Sequence, residues 1–158
     1  MKKILKILGI LILLALIVMQ FFRPEKNNGG YESFVNFEKD TKLPDEVLSI
    51  LKMNCFDCHT NQTRYPWYAE IAPISFWLDG HIKHGKGEFN MSKWDSYSLK
   101  KKDEKMEELI EKVKKGEMPL NSYTWIHGSL SEEDKELLLE WVSMVRLQYK
   151  DDLKVSSN

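Results

Sequence analysis

Five consecutive residues combine two thiols and an imidazole at a spacing that suits covalent chemistry: Cys55-Phe56-Asp57-Cys58-His59. Cys-x-x-Cys-His is the attachment motif of a c-type haem. On a turn of helix, the two-residue gap places the sulfurs about as far apart as the two porphyrin vinyl groups, and the histidine can bind the iron as proximal ligand. Because the chain has no other cysteine, we assign Cys55 and Cys58 as thioether donors to one haem and His59 as its proximal ligand.

Other uses of this pentapeptide stay open at the level of sequence. A Cys-x-x-Cys pair can form a redox disulfide, but such pairs usually lie near a βαβ pattern, and the sequence shows none. A zinc site built on Cys55, Cys58 and His59 needs a fourth ligand, and adjacent Cys and His residues suit tetrahedral zinc poorly. A motif this short can also match by accident, so the surrounding segments decide.

A second stretch with metal-binding chemistry follows the third predicted helix, at Gly116-Glu117-Met118-Pro119-Leu120. A methionine thioether can occupy the sixth iron position opposite a histidine and raises the reduction potential. The ligand must come from a loop that folds over the haem face, and Met118 lies after the cysteine motif and before the last helix. We predict Met118 as the distal ligand.

The remaining histidines are alternatives for the sixth position. His127 follows the Met118 segment closely, and His81 and His84 share one face of the second predicted helix. A histidine pair near a helix end is more often solvated, since positive charge is favoured there. An iron with an open sixth site is the third possibility.

Length and charge limit the function classes. A chain of 158 residues supports one domain with a modest core. The net charge of −1 hides an asymmetry, because residues 1–30 hold five basic residues and one acidic residue, and the remainder holds 18 basic and 23 acidic residues. Such a domain lacks the clustered Lys and Arg that nucleic acid requires. An acidic surface can instead steer a basic protein partner.

The N-terminus carries a basic region and then an apolar run. Lysines lie at positions 2, 3 and 6, and the run extends from Ile7 to Phe22, interrupted by Gly9 and Gln20. No small-x-small cleavage site follows, so we predict an uncleaved signal-anchor helix over residues 1–23, with a cleaved secretory signal as the alternative. The lysines keep the start in the cytoplasm. The rest would face the periplasm or cell exterior, where c-type haem is attached.

The segments after the anchor predict an all-α domain. Residues 24–42 form a linker and leading segment, residues 43–150 the haem-binding domain, and residues 151–158 a flexible tail. Apolar periodicity predicts a helix from Pro44 into the cysteine motif, a second from Pro73 to His84 ended by Gly85 and Gly87, a third from Leu99 to Lys115, and a last one capped by Ser131. The aromatic loop after His59 suits a haem-pocket wall, with ordinary core packing as the alternative. Arg64 is expected to be solvated, with pairing to a haem propionate as the alternative.

A set of motifs beyond the pentapeptide makes the chain resemble the bacterial haem-binding-domain family of cytochrome c-like proteins over residues 35–147. The residues that carry this are Cys55-x-x-Cys58-His59, Asn61-x-Thr63-x-Tyr65-Pro66-Trp67-Tyr68, Ile71-Ala72-Pro73-Ile74-Ser75, His81, Asn90-x-Ser92-x-Trp94, Met118-Pro119-Leu120-x-x-Tyr123, His127 and Leu130-Ser131. The resemblance implies a cytochrome c-like fold with one covalent haem c. It also implies the ligand roles given above for His59 and Met118.

The combined prediction is a membrane-anchored c-type cytochrome that transfers single electrons to and from a redox partner protein. The sequence favours an electron carrier over an enzyme, because it shows no acid, base or nucleophile constellation for substrate chemistry. The alternative is a haem-based sensor or peroxidase-like protein in which the sixth iron position is open or labile.

Overall fold

The computed structural model describes residues 1–156, which fold into helices with no strand beyond an isolated bridge between Asn28 and Gln62. The all-α class is therefore as predicted. Short 3-10 helices lie at Glu32–Phe34, Trp67–Glu70 and Met91–Ser96. The α-helices are α1 Lys2–Met19, α2 Val35–Thr41, α3 Asp45–Asn54, α4 Phe56–His59, α5 Ile74–Glu88, α6 Leu99–Lys114, α7 Asn121–His127 and α8 Glu132–Ser156.

The core lies between α8 and the helices that pack on it, α3 and α6. Helix α8 therefore packs on α3, the helix that leads into the cysteine motif. Trp94 is fully buried, and its ring meets Phe37 edge-on at 5.0 Å between centroids. The other large buried members of the cluster are Phe34, Leu51, Phe56, Met91, Met106, Leu138, Trp141 and Tyr149. This cluster fixes the helices that carry the cysteine motif.

Two helix ends differ from the sequence prediction. The second predicted helix does not end at His84, because α5 continues through Gly85 and Gly87 to Glu88. The last helix runs to Ser156, well into the segment predicted as a tail, and residues 157–158 of that segment lie outside the described part of the chain. Ser131 does cap α8, since its Oγ accepts the backbone N–H of Asp134 at 3.0 Å.

The transmembrane anchor predicted for residues 1–23 is wrong, and with it the predicted membrane-anchored location. Within residues 1–156 no helix combines the length and apolarity that crossing a membrane requires. Helix α1 has 18 residues and ends at Met19, and its first turns carry Lys2, Lys3 and Lys6. The apolar part after Lys6 rises only about 20 Å, at 1.5 Å per residue, against a hydrocarbon core of about 30 Å.

The predicted linker is tied to the domain. The Asn27 side chain donates to the Thr60 carbonyl and to the Thr63 hydroxyl, each at 2.9 Å. The Gly29 N–H donates to the Asn61 carbonyl at 2.6 Å. These bonds hold the segment after α1 against the loop that follows the cysteine motif.

Asp40 joins three elements of the core through one carboxylate. Its Oδ2 accepts the Trp94 indole N–H and the Tyr149 hydroxyl, both at 2.7 Å, and the Lys102 ammonium at 3.0 Å. Partial burial opposes the charge of Asp40, but these donors outweigh it, so its pKa lies below the usual range. The carboxylate thus stabilises the fold in its charged form.

We therefore expect Asp40→Ala to lower the free energy of unfolding by about 2 kcal/mol at neutral pH, since two buried donors lose their acceptor. Because the folded pKa is depressed, the stabilisation is present at neutral pH and is lost as the pH falls through the folded pKa. The difference in unfolding free energy between wild type and Asp40→Ala, measured by urea titration, should therefore shrink as the pH is lowered. Glu140→Gln, on the exposed side of α8, should change little; equal losses for both variants would contradict the assignment.

Candidate functional site

A cavity of about 610 Å³ opens beside the cysteine motif. Its wall contains every group assigned from the sequence as a thioether donor or iron ligand: Cys55, Cys58, His59 and Met118. Other residues of the cavity wall are Leu51, His81, His84, Gly85, Glu88, Phe89, Met91, Lys105, Glu108, Leu109, Lys112, Val113, Glu117, Tyr123 and Leu138. A volume of roughly 300–1,000 Å³ is typical of ligand and cofactor sites.

The cysteine motif forms a tight helical turn at the end of α3. Helix α3 ends at Asn54, and α4 begins one residue later. The Cys55 carbonyl accepts the N–H groups of Cys58 at 3.2 Å and His59 at 3.0 Å. This turn places both cysteines and the histidine in the wall of the same cavity.

Both cysteines are unpaired thiols. Burial, with a smaller contribution from Cys58, raises the pKa of Cys55 to about 12. Burial and the neighbouring Asp57 raise the pKa of Cys58 to about 11. Both groups are therefore protonated at neutral pH, unlike the activated thiolate of a redox pair.

His59 has one ring nitrogen committed to the protein. Its Nδ1 lies 2.8 Å from the Phe89 carbonyl oxygen. A carbonyl can only accept, so Nδ1 carries the proton, and Nε2 is left with a lone pair. Burial lowers the pKa of His59, which favours the neutral ring that binds metals. Orientation through an Nδ1–H bond is typical of histidines that ligate metals.

Gly85 lets α5 approach the motif turn. A Cβ built on Gly85 would lie 2.7 Å from the Cys58 carbonyl oxygen and 3.1 Å from the Cys58 Cβ. Real side chains do not tolerate such distances, so only glycine fits this position. The sequence analysis treated Gly85 as a helix terminator. Two glycines inside an otherwise helical pattern can mark a close packing contact, and this pattern could have indicated the role of Gly85.

Asp57, inside the motif, is the centre of a polar cluster at the cavity wall. Its carboxylate accepts the Arg64 guanidinium through Nε at 3.1 Å and Nη2 at 3.0 Å, together with the Arg64 backbone N–H at 2.9 Å. The Tyr123 hydroxyl donates to its Oδ2 at 2.9 Å. The expectation that Arg64 is solvated is thus incomplete, because Arg64 is ion-paired with a buried carboxylate. Asp57 and Tyr123 both lie in the sequence motifs, but no role is predicted for either residue from the sequence.

Met118 reaches the cavity on a loop that leaves α6 at Gly116. Gly116 has a φ of +69°, a left-handed conformation that ends the helix. The N–H groups of Glu117 and Met118 both donate to the Lys112 carbonyl, at 2.9 and 3.2 Å. These bonds fold the loop back over the end of α6 and bring the half-buried Met118 side chain into the cavity wall.

The three alternative histidines fall into two groups. His81 and His84, on α5, line the cavity with His59. His127 is absent from the lining; its Nε2 lies 2.9 Å from the Tyr68 hydroxyl, and its ring stacks on Tyr123 at 4.3 Å. His81 and His84 therefore stay possible iron ligands on geometry, whereas His127 is engaged elsewhere.

The donor set fits a haem better than a metal ion alone. Across residues 1–156, no group of three or more His, Cys, Asp or Glu side chains is placed to hold a metal ion. The zinc alternative therefore lacks its ligand set. Two thiols on one turn, an oriented imidazole, a thioether and a largely apolar wall are the groups that a covalently held porphyrin uses.

The contact at Gly85 predicts opposite effects for two substitutions in one helix. Gly85→Ala should lower the free energy of unfolding by about 1–3 kcal/mol, because the added methyl overpacks the Cys58 backbone. Gly87→Ala should raise it by about 0.5–1 kcal/mol, since its Cβ meets nothing within 4 Å and alanine favours helix. Urea unfolding of both variants checks this; a gain in stability with Gly85→Ala would show that α5 does not need this close approach.

The sequence model of a family described as a haem-binding domain matches residues 14–144. No curated protein matches the chain, and no solved structure matches it. The family match confirms the resemblance inferred from the motifs and covers most of the sequence. The chain belongs to the haem-binding-domain family, and its cofactor is haem.

Proposed function

We propose that the protein is a c-type cytochrome that carries one covalent haem and transfers single electrons. In this proposal Cys55 and Cys58 hold the haem through thioether bonds. His59 is the proximal iron ligand, and Met118 is the distal one. The observation that supports it most directly is the shared cavity, whose wall contains both thiols, the imidazole and the thioether sulfur.

When bound, haem supplies an iron that alternates between the ferrous and ferric states. The surrounding residues orient its ligand and tune its reduction potential. The Phe89 carbonyl holds His59 in one orientation and leaves Nε2 free to act as a ligand. Leu51, Leu109 and Val113 give the cavity an apolar wall that excludes water. A dry, weakly polar surrounding and a thioether ligand both tune the reduction potential.

Met118 is favoured over His81 and His84 as the distal ligand because it belongs to a different element of the fold. His81 and His84 lie on α5, the same helix that packs on the motif turn through Gly85 and supplies the proximal side of the site. Met118 comes from a separate loop after α6. A distal ligand must approach from the face opposite the proximal histidine, so a different element suits that role.

A redox partner protein completes the proposed function. Residues 31–158 carry an excess of acidic over basic side chains. A partner with a basic docking face would be steered to such a surface, with an association rate that falls as salt increases.

Covalent attachment is tested by expressing the chain with c-type haem maturation machinery. We expect the intact mass to rise by one haem, the colour to stay with the polypeptide after acid–acetone extraction, and the pyridine haemochrome to indicate two saturated vinyl groups. Cys58→Ala should leave one thioether and shift the haemochrome band. Haem that leaves the polypeptide on extraction would exclude thioether attachment, and a colourless product would exclude the function.

The distal ligand is tested with a pair of methionine substitutions. Met118→Ala should abolish the near-infrared sulfur-to-iron band, give high-spin iron and lower the reduction potential by on the order of 0.1 V, a fraction of the about 0.8 V that axial ligands span. Met144→Ala, on the exposed side of α8, should change none of these. An unchanged Met118→Ala spectrum would mean that another residue binds. A high-spin wild type that responds to cyanide or carbon monoxide would favour the sensor or peroxidase-like alternative.

A further inference from the structure

One face of α6 forms a charged part of the cavity wall. Lys105, Glu108, Leu109, Lys112 and Val113 all line the cavity, at the i, i+3, i+4, i+7 and i+8 spacing of a single helix face. The two lysines lie two turns apart, which is about 10 Å along the axis at 1.5 Å per residue. They are the lysines of the cavity wall, which contains no arginine.

Lys105 is unusually buried for a lysine. The residue is 7% exposed, and its ammonium pairs with Glu108, whose side chain is 49% exposed. Lys112 pairs with Glu117, but its side chain is 51% exposed, so of the two lysines only Lys105 is buried. A buried ammonium with one half-solvated partner is incompletely compensated. An anion inside the cavity would supply the missing charge, and the glutamates can turn to solvent to make room.

We propose that Lys105 and Lys112 are the carboxylate-binding groups of the cavity and hold the two propionates of the haem. The inference rests on the proposed function, because it takes the vinyl edge of the ring to be fixed at Cys55 and Cys58. The propionates leave the ring on the edge opposite the vinyl carbons. They therefore face away from the motif turn and require a cationic wall from another element.

Other candidates for this role are excluded by their contacts. Arg64 is held by both oxygens of Asp57 and by the Lys52 carbonyl, and it does not line the cavity. Glu88 and Asp57 line the cavity but would repel a carboxylate. The lysines of α6 are thus the groups with the right charge and position.

The test compares haemin with its dimethyl ester, which has the same ring but no carboxylates. The full-length apo chain, with its thiols reduced, is titrated with each compound and the two dissociation constants are measured. We expect wild type to prefer haemin. Lys105→Met and Lys112→Met should each reduce this preference by about tenfold, the value of one charge-assisted hydrogen bond, and leave ester affinity unchanged.

Matched variants separate charge from structure. Lys114→Met, an exposed lysine on the same helix that does not line the cavity, should keep the full preference for haemin. Lys105→Arg should keep it too, since the charge is retained. Circular dichroism establishes that each variant is folded, and the undiminished ester affinity shows that the cavity is intact.

The outcomes distinguish this inference from the proposed function. If wild type binds neither compound and matures without haem, the proposed function fails. If wild type binds both compounds equally, or if the two methionine variants keep the preference for haemin, the haem site stands and the role given to Lys105 and Lys112 is wrong.

Discussion

The close packing of α5 on the cysteine motif is the constraint on which the site depends. Gly85 allows the α5 backbone to meet the Cys58 carbonyl, and four residues later the Phe89 carbonyl accepts the His59 Nδ1 proton. A side chain at Gly85 would move α5 away and take the acceptor with it. The tautomer and direction of the imidazole therefore follow from a backbone contact. This explains how a histidine on a four-residue helix is held in one orientation.

A second constraint lies at Asp57, inside the motif turn. Its buried carboxylate binds Arg64 of the following loop and Tyr123 of α7. The Tyr123 hydroxyl also lies 2.8 Å from the Met53 carbonyl oxygen, near the end of α3. The motif turn is thereby tied to the helix that begins three residues after Met118. The motif turn and the segment that carries Met118, which both line the cavity, are thus connected through one charged group.

Sequence reasoning succeeded where one local pattern carries the signal. The motif turn, the cap at Ser131 and the bounds of α6 follow from residue types a few positions apart. Gly85 was misjudged because local rules treat glycine as a helix terminator, whereas its reason is a contact with a residue 27 positions away. The ion pair between Arg64 and Asp57 was missed for the same reason, because pairing across a loop leaves no periodic pattern in the sequence. The predicted N-terminal anchor is wrong because the apolar run was taken to continue through Gln20 to Phe22. Helix α1 ends at Met19, so its apolar part is shorter than the sequence suggests.

The cavity and the hydrophobic core share a wall, and this links cofactor binding to folding. Leu51, Met91, Val113 and Leu138 are members of the buried cluster and also line the cavity. An apolar ring placed against them would extend the core and remove more apolar surface from water, at about 25 cal/mol per Å². Any group that binds only the folded chain stabilises it by mass action, so haem binding in this cavity and folding of the core favour each other.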